Sequence, residues 1–258
     1  MIRTLALTGG DIEVEELAAD AEAADLAPMV FLHEGLGSRE LWRGFPSEIH
    51  EATGRRTIVY SRHGYGRSAV VTEPRAVDYM HREALEVLPE LLERLEVLSP
   101  VLIGHSDGAS IALIHAGSEV GNPAGLVLLA PHVIVEDRSI AGIEAARETY
   151  LSTNLGERLG RYHTDPDATF WGWNRIWLDP AFRSWDITEW LPGVTCPVAL
   201  VQGHEDEYGT LRQLDLIDAS VSAPVMRTVL AGCRHAPHLD QPEATATAVT
   251  SFLDALQR

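Results

Sequence analysis

Short continuous apolar runs alternate along this chain with stretches in which apolar residues recur every three or four positions. The runs lie at 29–32, 57–60, 101–103, 125–130, 197–202 and 225–230. A strand with one solvent-exposed face would alternate apolar and polar residues. Continuous apolar runs therefore predict strands that are buried on both faces of a parallel sheet. Residues 3–18 do alternate, around Gly9-Gly10-Asp11, and predict an antiparallel hairpin. Strands that alternate with helices predict an α/β fold.

Two helical patterns carry boundary signals. Between residues 77 and 95 the apolar positions have helical spacing, and Pro89 predicts a kink or a break within them. Residues 241–257 predict a closing helix with Asp240 as its N-cap and Pro242 in its first turn.

The stretch 132–193 interrupts the alternation of strands and helices. It shows no strand pattern and contains five of the six tryptophans: Trp171, Trp173, Trp177, Trp185 and Trp190. We predict a helical lid inserted into a core made of residues 1–131 and 194–258. The aromatic cluster suggests an apolar pocket for an acyl group or a ring, with Trp173 and Trp177 as candidates to line it. The alternative for each is that it packs the lid against the core.

The composition of the chain excludes several classes of partner and of catalytic chemistry. A chain of 258 residues suits one large α/β domain or one domain with an insertion. Its net charge of −18 argues against nucleic acid or an anionic membrane surface as partners. All 20 basic residues are arginines, which excludes a lysine Schiff base and a lysine-bearing phosphate loop. The start of the chain lacks a signal-peptide pattern and no apolar run spans a bilayer, so we expect a soluble, cytoplasmic protein.

The most specific candidate chemistry follows the run at 101–103. Gly104-His105-Ser106-Asp107-Gly108 joins that predicted strand to a helical pattern, and strand, G-x-S-x-G, helix is the context of a nucleophile elbow. The turn is so tight that glycines must flank it, and Ser106 is predicted to be strained at its apex with an exposed hydroxyl. The helix begins there, so the N–H of Asp107 is predicted to stabilise negative charge that forms beside Ser106.

The acid and the base of this site are predicted downstream of the tryptophan-rich stretch. A nucleophile elbow needs a base and a carboxylate that orients it, in the chain order serine, acid, histidine. Three consecutive acidic residues follow the run at 197–202: Glu205, Asp206 and Glu207. Position favours Asp206, and both neighbours remain alternatives. The loop after the run at 225–230 contains two histidines, and we favour His235 as the base over His238, which could be structural.

Eleven histidines also raise the question of a metal. The sequence contains no H-E-x-x-H, H-x-H-x-D-H or C-x-x-C pattern. Four histidines are predicted at loops near the site without making a ligand set: His63, His105, His132 and His204. We therefore predict neither a metal nor another cofactor.

Five blocks of the chain, in order, carry a resemblance to a known family: Leu32-His33-Glu34-Gly35-Leu36-Gly37-Ser38, Ser61-Arg62-His63-Gly64-Tyr65-Gly66-Arg67-Ser68, Gly104-His105-Ser106-Asp107-Gly108, Gly203-His204-Glu205-Asp206, and His235-Ala236-Pro237-His238-Leu239-Asp240-Gln241-Pro242-Glu243. Over nearly its whole length the chain resembles the α/β-hydrolase superfamily. The resemblance implies a mostly parallel central sheet with helices on both faces. It also implies that Ser106 is the nucleophile, His235 the base and Asp206 the acid.

The family's second oxyanion donor is a backbone N–H in the loop after the strand that ends at Leu32. The usual His-Gly pair is altered here, and the resemblance implies Leu36 as the donor, with Glu34 as the alternative. A Glu34 carboxylate that pointed into the oxyanion hole would oppose the oxyanion. We expect it to turn away or to pair with a base such as Arg62 or Arg67. Arg62 is assigned to the scaffold, with a possible role at the rim of the site.

These residues together predict a serine hydrolase that acts on small-molecule carboxylic esters or lactones through a Ser-His-Asp triad and an acyl-enzyme. A serine argues against epoxide hydrolases and haloalkane dehalogenases, whose family members use aspartate at this position. One alternative is a carbon–carbon hydrolase of ring-cleavage products with the same triad. Another is a ligand-binding protein without hydrolytic activity on the same scaffold. The oligomeric state is not predicted.

Overall fold

The computed structural model of the protein describes residues 1–256 and contains one eight-stranded sheet. Its strands are β1 (Ile2–Leu7), β2 (Gly10–Leu17), β3 (Met29–Leu32), β4 (Thr57–Tyr60), β5 (Val101–His105), β6 (Gly125–Leu129), β7 (Val198–Gly203) and β8 (Val225–Leu230). All predicted strands are confirmed within one or two residues of their predicted ends. Residue 257, the predicted last residue of the closing helix, lies outside the described residues.

The strand order is β1-β2-β4-β3-β5-β6-β7-β8. The hairpin β1–β2 lies at one edge and joins β4 in an antiparallel arrangement, and all later pairs are parallel. The fold is therefore the predicted α/β-hydrolase fold with a mostly parallel sheet. In such sheets the carboxyl ends of the parallel strands meet at one edge, where binding sites form.

Helices fill the connections. They are α1 (Phe45–Thr53), α2 (Tyr79–Arg82), α3 (Leu88–Arg94), α4 (Asp107–Gly117), α5 (Asp137–Ser152), α6 (Leu155–Leu159), α7 (Pro166–Trp177), α8 (Arg212–Ser220), α9 (Pro237–Asp240) and α10 (Pro242–Ala255). None of the helices within residues 1–256 is both long and apolar enough to cross a bilayer.

The helices cover both faces of the sheet because alternate residues of the central strands enter two separate cores. In β3, Val30 and Leu32 belong to the core that includes apolar residues of α3, α4 and α8. Met29 and Phe31 belong to the core that includes residues of α1 and α10. All four side chains are fully buried, and burial of a side chain of this size contributes roughly 1.5–3 kcal/mol. Burial on both faces explains why the strand sequences are continuously apolar.

Two details of the helices differ from or refine the sequence predictions. The segment at 77–95 is interrupted by a π-helical turn at Glu83–Val87, and Pro89 lies in the first turn of α3, where its missing N–H is not needed. The predicted N-cap of the closing helix is wrong. Asp240 is the last residue of α9, and its carboxylate accepts a hydrogen bond from the backbone N–H of Arg234 at 2.8 Å. Gln241 precedes α10 instead.

The stretch between β6 and β7 is mainly helical, as its pattern predicted. It contains α5, α6 and α7, followed by two 3₁₀ turns at Pro180–Ser184 and Thr188–Gly193. One isolated bridge, Ile134 with Asp186, is its only extended pairing within the described residues. This stretch follows the carboxyl end of β6. The carboxyl end of β5, which directly precedes Ser106, lies at the same edge of the sheet. The division of this stretch from the core as a lid remains a prediction.

Candidate active site

Ser106 lies at the apex of the turn between β5 and α4. Its backbone has φ 52° and ψ −115°, a conformation that side-chain-bearing residues avoid at a cost of about 1–3 kcal/mol. The backbone N–H of Ser106 donates to Leu129 O at 2.9 Å, and Ser106 O accepts from the N–H groups of Ala109 and Ser110. These hydrogen bonds hold the turn between two strands and the first turn of the helix.

The glycines that flank Ser106 are required by close backbone packing. A Cβ on Gly108 would lie 2.0 Å from the carbonyl oxygen of Leu32, the last residue of β3. A Cβ on Gly104 would lie 2.4 Å from Gly108 O. The elbow therefore sits directly against the end of the neighbouring strand, from which the next loop of the site begins.

The loop after β8 brings His235 to a carboxylate at the end of β7. His235 Nδ1 lies 2.8 Å from Asp206 Oδ1. Asp206 is 1% exposed, and its carboxylate also accepts hydrogen bonds from the N–H groups of Tyr208 and Gly209 and from the Gln202 side chain. These donors hold the carboxylate beside the imidazole and stabilise its negative charge.

The other acids and the second histidine of these loops have different contacts. Glu205 accepts the backbone N–H of Cys233 at 3.0 Å, and Glu207 accepts the backbone N–H of His235 at 3.1 Å. Both carboxylates thereby hold the histidine loop in place. The ring of His238 packs 4.8 Å from that of Trp42 and is 5% exposed. The structure brings Asp206, and neither Glu205 nor Glu207, to the His235 imidazole.

Charge and burial act in opposite directions on this pair. Burial opposes a charged His235, but the charge and the hydrogen bond of Asp206 outweigh it and raise the pKa of His235 above its ordinary value. Burial also opposes the charged form of Asp206, and the attraction and hydrogen bond of His235 overcome it and lower the pKa of Asp206 to about 2. An ionised Asp206 favours a proton on Nδ1 of His235, which leaves Nε2 as the basic nitrogen.

Ser106, His235, Leu36 and Glu34 line one cavity of about 240 Å³. No hydrogen bond joins the Ser106 hydroxyl to the imidazole within the described part of the chain. Hydrogen bonds between a nucleophile and its base are often long in enzymes without substrate and shorten in the substrate complex. Asp206 lies behind His235, away from the cavity.

The loop that follows β3 forms a tight turn beside Ser106. The N–H of Gly37 donates to Glu34 O at 3.0 Å, and the imidazole of His163 lies 3.0 Å from Leu36 O. Trp173 packs directly over Gly35, where a Cβ would lie 2.1 Å from its indole nitrogen. The turn is therefore held from the side of the 132–193 segment, and both candidate oxyanion donors, Leu36 and Glu34, face the cavity.

The side chain of Glu34 does not pair with either predicted arginine. Its carboxylate lies 3.6 Å from Nδ1 of His105, the residue before Ser106, and Nε2 of His105 lies 2.8 Å from the backbone O of His235. Burial opposes the charge of Glu34, but His105 and other neighbouring imidazoles lower its pKa below the ordinary value. Arg67 instead donates to Arg161 O at 2.9 Å. The basic side chain beside the Glu34 carboxylate is therefore His105 and neither of the arginines that the sequence suggested.

Arg62 is fully buried beneath the site, so its suggested place at the rim is wrong. Its Nη2 lies 3.3 Å from His33 O, 3.0 Å from Glu34 O and 3.7 Å from the carboxylate of Asp107. Burial opposes its charge, yet the surrounding tyrosines and acids, Asp107 among them, raise its pKa. Arg62 thus contacts both backbone segments that carry the candidate oxyanion donors.

The carboxylate of Asp107 points away from the cavity. It accepts a hydrogen bond from the Tyr79 hydroxyl at 2.7 Å, and that hydroxyl accepts one from the indole N–H of Trp177 at 3.2 Å. Asp107 is therefore held at the start of α4 by its side chain.

The walls of the cavity include both predicted tryptophans, Trp173 and Trp177, together with residues that the sequence did not single out for binding: Ser139, Ile143, Tyr208 and Arg234. Among the four histidines considered as metal ligands, His105 and His132 line the cavity, whereas His63 and His204 do not. Within residues 1–256 no cluster of three or more histidine, cysteine or acidic side chains is arranged to hold a metal ion. The sequence predicted His132 near the site, although not as a residue that lines the cavity.

A family model described as the alpha/beta hydrolase family matches residues 29–248, which is most of the chain. The chain belongs to the alpha/beta hydrolase family. A non-heme chloroperoxidase of Burkholderia pyrrocinia is 25% identical to this hydrolase over 227 residues, which cover 75% of this chain and 80% of the relative. A proline iminopeptidase of Levilactobacillus brevis is 25% identical over 272 aligned residues, with 89% of both chains covered.

Solved structures share the fold of this hydrolase. An esterase from Exiguobacterium antarcticum superposes with a TM-score of 0.77 over 98% of this chain and 100% of its own, at 20% sequence identity. Family membership and these similarities identify the protein as a hydrolase enzyme.

The first prediction concerns the close approach at the elbow. Gly108→Ala is expected to lower the free energy of unfolding by about 1–3 kcal/mol, because the added Cβ meets a backbone oxygen that cannot move aside. Gly44→Ala is the matched control, since a Cβ at Gly44 meets no atom within 4 Å. Denaturant unfolding of both variants measures the effect. Equal stabilities of the two variants would contradict the steric argument.

The second prediction concerns Arg62. Arg62→Met leaves the buried Asp107 carboxylate without its guanidinium and is expected to lower the free energy of unfolding by about 3–5 kcal/mol. Arg67→Met, which removes an exposed guanidinium of the same loop, is expected to change it by less than about 0.5 kcal/mol. Urea titration followed by circular dichroism compares them. If Arg62→Met is as stable as Arg67→Met, the buried ion pair has no structural role.

Proposed function

We propose that this hydrolase cleaves small carboxylic esters or lactones through a Ser106-His235-Asp206 triad and an acyl-enzyme intermediate. The observation that carries the proposal is the 2.8 Å contact of Asp206 with Nδ1 of His235, a residue that lines the same cavity as the strained Ser106. A nucleophile, a base and a carboxylate that orients the base are the parts that acyl transfer requires.

The first half of the reaction uses the proton position that Asp206 favours. Nε2 of His235 accepts the proton of the Ser106 hydroxyl as its oxygen attacks the substrate carbonyl. The imidazolium that forms is stabilised by the Asp206 carboxylate. His235 then protonates the leaving alcohol, and Ser106 retains the acyl group. In the second half His235 deprotonates a water molecule, which attacks the acyl-enzyme and releases the acid.

The tetrahedral intermediates need donors for their oxyanion. We assign the backbone N–H of Asp107 at the start of α4 and that of Leu36 in the adjacent turn, with Glu34 as the alternative to Leu36. An oxyanion donor typically lowers the barrier by ~3–4 kcal/mol. Arg62 supports this assignment because it contacts Glu34 O and the Asp107 side chain, and so holds the two donor segments together.

The cavity favours small neutral substrates. Its volume of about 240 Å³ lies below the range of about 300–1,000 Å³ that is usual for small-molecule sites. Trp173 and Trp177 provide apolar walls, and both belong to the 132–193 segment, which we propose acts as a lid over the triad. Three carboxylates on the lining, against the single guanidinium of Arg234, oppose an anionic substrate: Glu34, Glu207 and Asp240. A carbon–carbon hydrolase would use the same triad, and a panel of esters, lactones and vinylogous diketones distinguishes the two activities.

The third prediction tests the triad. Ser106→Ala and His235→Ala are each expected to lower kcat for p-nitrophenyl butyrate by roughly 10⁴–10⁶-fold, because nucleophile and base act as one unit. His238→Ala is the matched control from the same loop, and it is expected to retain most of the wild-type kcat. Circular dichroism verifies that each variant is folded. A loss in His238→Ala as large as that in His235→Ala would show that the base is assigned wrongly.

The fourth prediction follows from the raised pKa of His235. The base must be neutral to accept the serine proton, so kcat/KM is expected to fall as pH decreases through the pKa of His235. Since Asp206 raises that pKa, the midpoint should lie above the ordinary histidine value of about 6.5. Asp206→Asn removes the raising charge and should move the midpoint to lower pH. A profile that is flat down to pH 4 would remove histidine as the base.

A further inference from the structure

His132 is a second imidazole of the cavity, and the proposed triad does not use it. The residue follows β6 and is 2% exposed, yet it lines the cavity beside Ser106 and His235. Its Nδ1 is buried and has no hydrogen-bond partner among residues 1–256. The ring nitrogen that a bound ligand can reach is therefore Nε2.

The protein holds this imidazole in place from several directions. Ser110 donates to the carbonyl oxygen of His132 at 2.6 Å, and the N–H of Val133 donates to the side chain of Gln213 at 2.8 Å. The ring packs edge-on against Trp177, with centroids 5.3 Å apart. Two residues earlier, Ala130 has φ 46°, a conformation that costs alanine energy and that packing must enforce.

The imidazole is neutral over the pH range in which the proposed base works. Burial and the neighbouring His235, whose ring centroid is 5.6 Å away, lower the pKa of His132 to about 4. The acids that face it, Asp206 and Glu136, only partly oppose this shift. Buried N–H groups without a partner are rarer than buried acceptors without one, which favours the proton on Nε2. Nε2–H is then a donor with no protein partner.

We propose that His132 determines substrate specificity by donating a hydrogen bond from Nε2 to a carbonyl or hydroxyl oxygen of the substrate, a few bonds from the scissile carbonyl. The preferred substrates of the site are then neutral oxo- or hydroxy-substituted esters rather than plain alkyl esters. This inference rests on the proposed function and names the substrate class of the same site. The carboxylates on the lining exclude a substrate carboxylate as the partner of this donor, so an uncharged oxygen fits best.

A matched set of esters tests the assignment. Methyl pentanoate, methyl 3-oxopentanoate and methyl 4-oxopentanoate differ in one ketone oxygen and its position, and acid release in a pH-stat gives kcat/KM for each. Intrinsic reactivity cancels when the oxo-to-plain ratio of kcat/KM is compared between proteins. We take the oxo-ester with the higher kcat/KM in wild-type protein. In His132→Leu its oxo-to-plain ratio of kcat/KM is expected to fall at least about tenfold from the wild-type ratio. His132→Gln, which keeps an N–H donor, should recover part of it.

Two results would overturn the proposal. One is an unchanged ratio in His132→Leu, and the other is an equal loss for the plain and the oxo-ester, which would indicate a structural role or a role as a base. Calorimetric titration of Ser106→Ala measures substrate binding without turnover, so it tests the binding role of His132 separately from the catalytic role of the triad. Tighter binding of an oxo-ester to Ser106→Ala, lost in Ser106→Ala/His132→Leu, supports His132 even when wild-type protein hydrolyses none of the esters. That absence of turnover would contradict only the proposed function.

Discussion

The contact of Gly108 with the carbonyl oxygen of Leu32 is the constraint on which the site depends. Leu32 pairs with Gly104 in the parallel register of β3 and β5, so the end of one strand lies beside the start of the elbow on the other. Because no side chain intervenes, the first turn of α4 and the loop after β3 approach each other as backbone against backbone. This places a strained serine, a helix N-terminus and a second backbone turn at one edge of the sheet, and the proposed acyl transfer uses all three.

The loop geometry at the ends of β7 and β8 then selects one acid among three. Asp206 points inward, and backbone N–H groups of its own loop and Gln202 satisfy its oxygens. The acids on either side of it bind the backbone of the facing histidine loop instead. The three acidic residues therefore act together: two hold the loop that carries His235, and the third meets the imidazole. The 132–193 segment also supports the acid loop, because Arg138 donates to Asp206 O and Ser139 donates to Tyr208 O.

Features that depend on local pattern were predictable, and features that depend on distant contacts were not. The strands follow from continuous apolar runs, and the elbow follows from one pentapeptide in its context. The pairing of Glu34 with His105 joins two loops that are far apart in sequence, and no spacing signals it. The sequence did not predict the full burial of Arg62 either, since an arginine in a glycine-rich loop is usually solvated. The cap of α10 was misassigned because the chain forms the short helix α9 first, which moves Asp240 away from the N-cap position.

Several imidazoles lie close together at the site, and their environments separate their roles. The ring of His235 is 5.1 Å from that of His105 and 5.6 Å from that of His132, and His238 lies 5.0 Å from His105. Positive charges at such distances repel, so the cluster cannot hold a proton on every ring. Burial lowers the pKa of His132 to about 4 and that of His238 to about 3, whereas Asp206 raises that of His235. Neighbouring groups with pKa values moved in opposite directions indicate separate roles. In the proposed mechanism His235 is the imidazole that carries a proton during turnover, and the neutral His132 forms a hydrogen bond with the substrate.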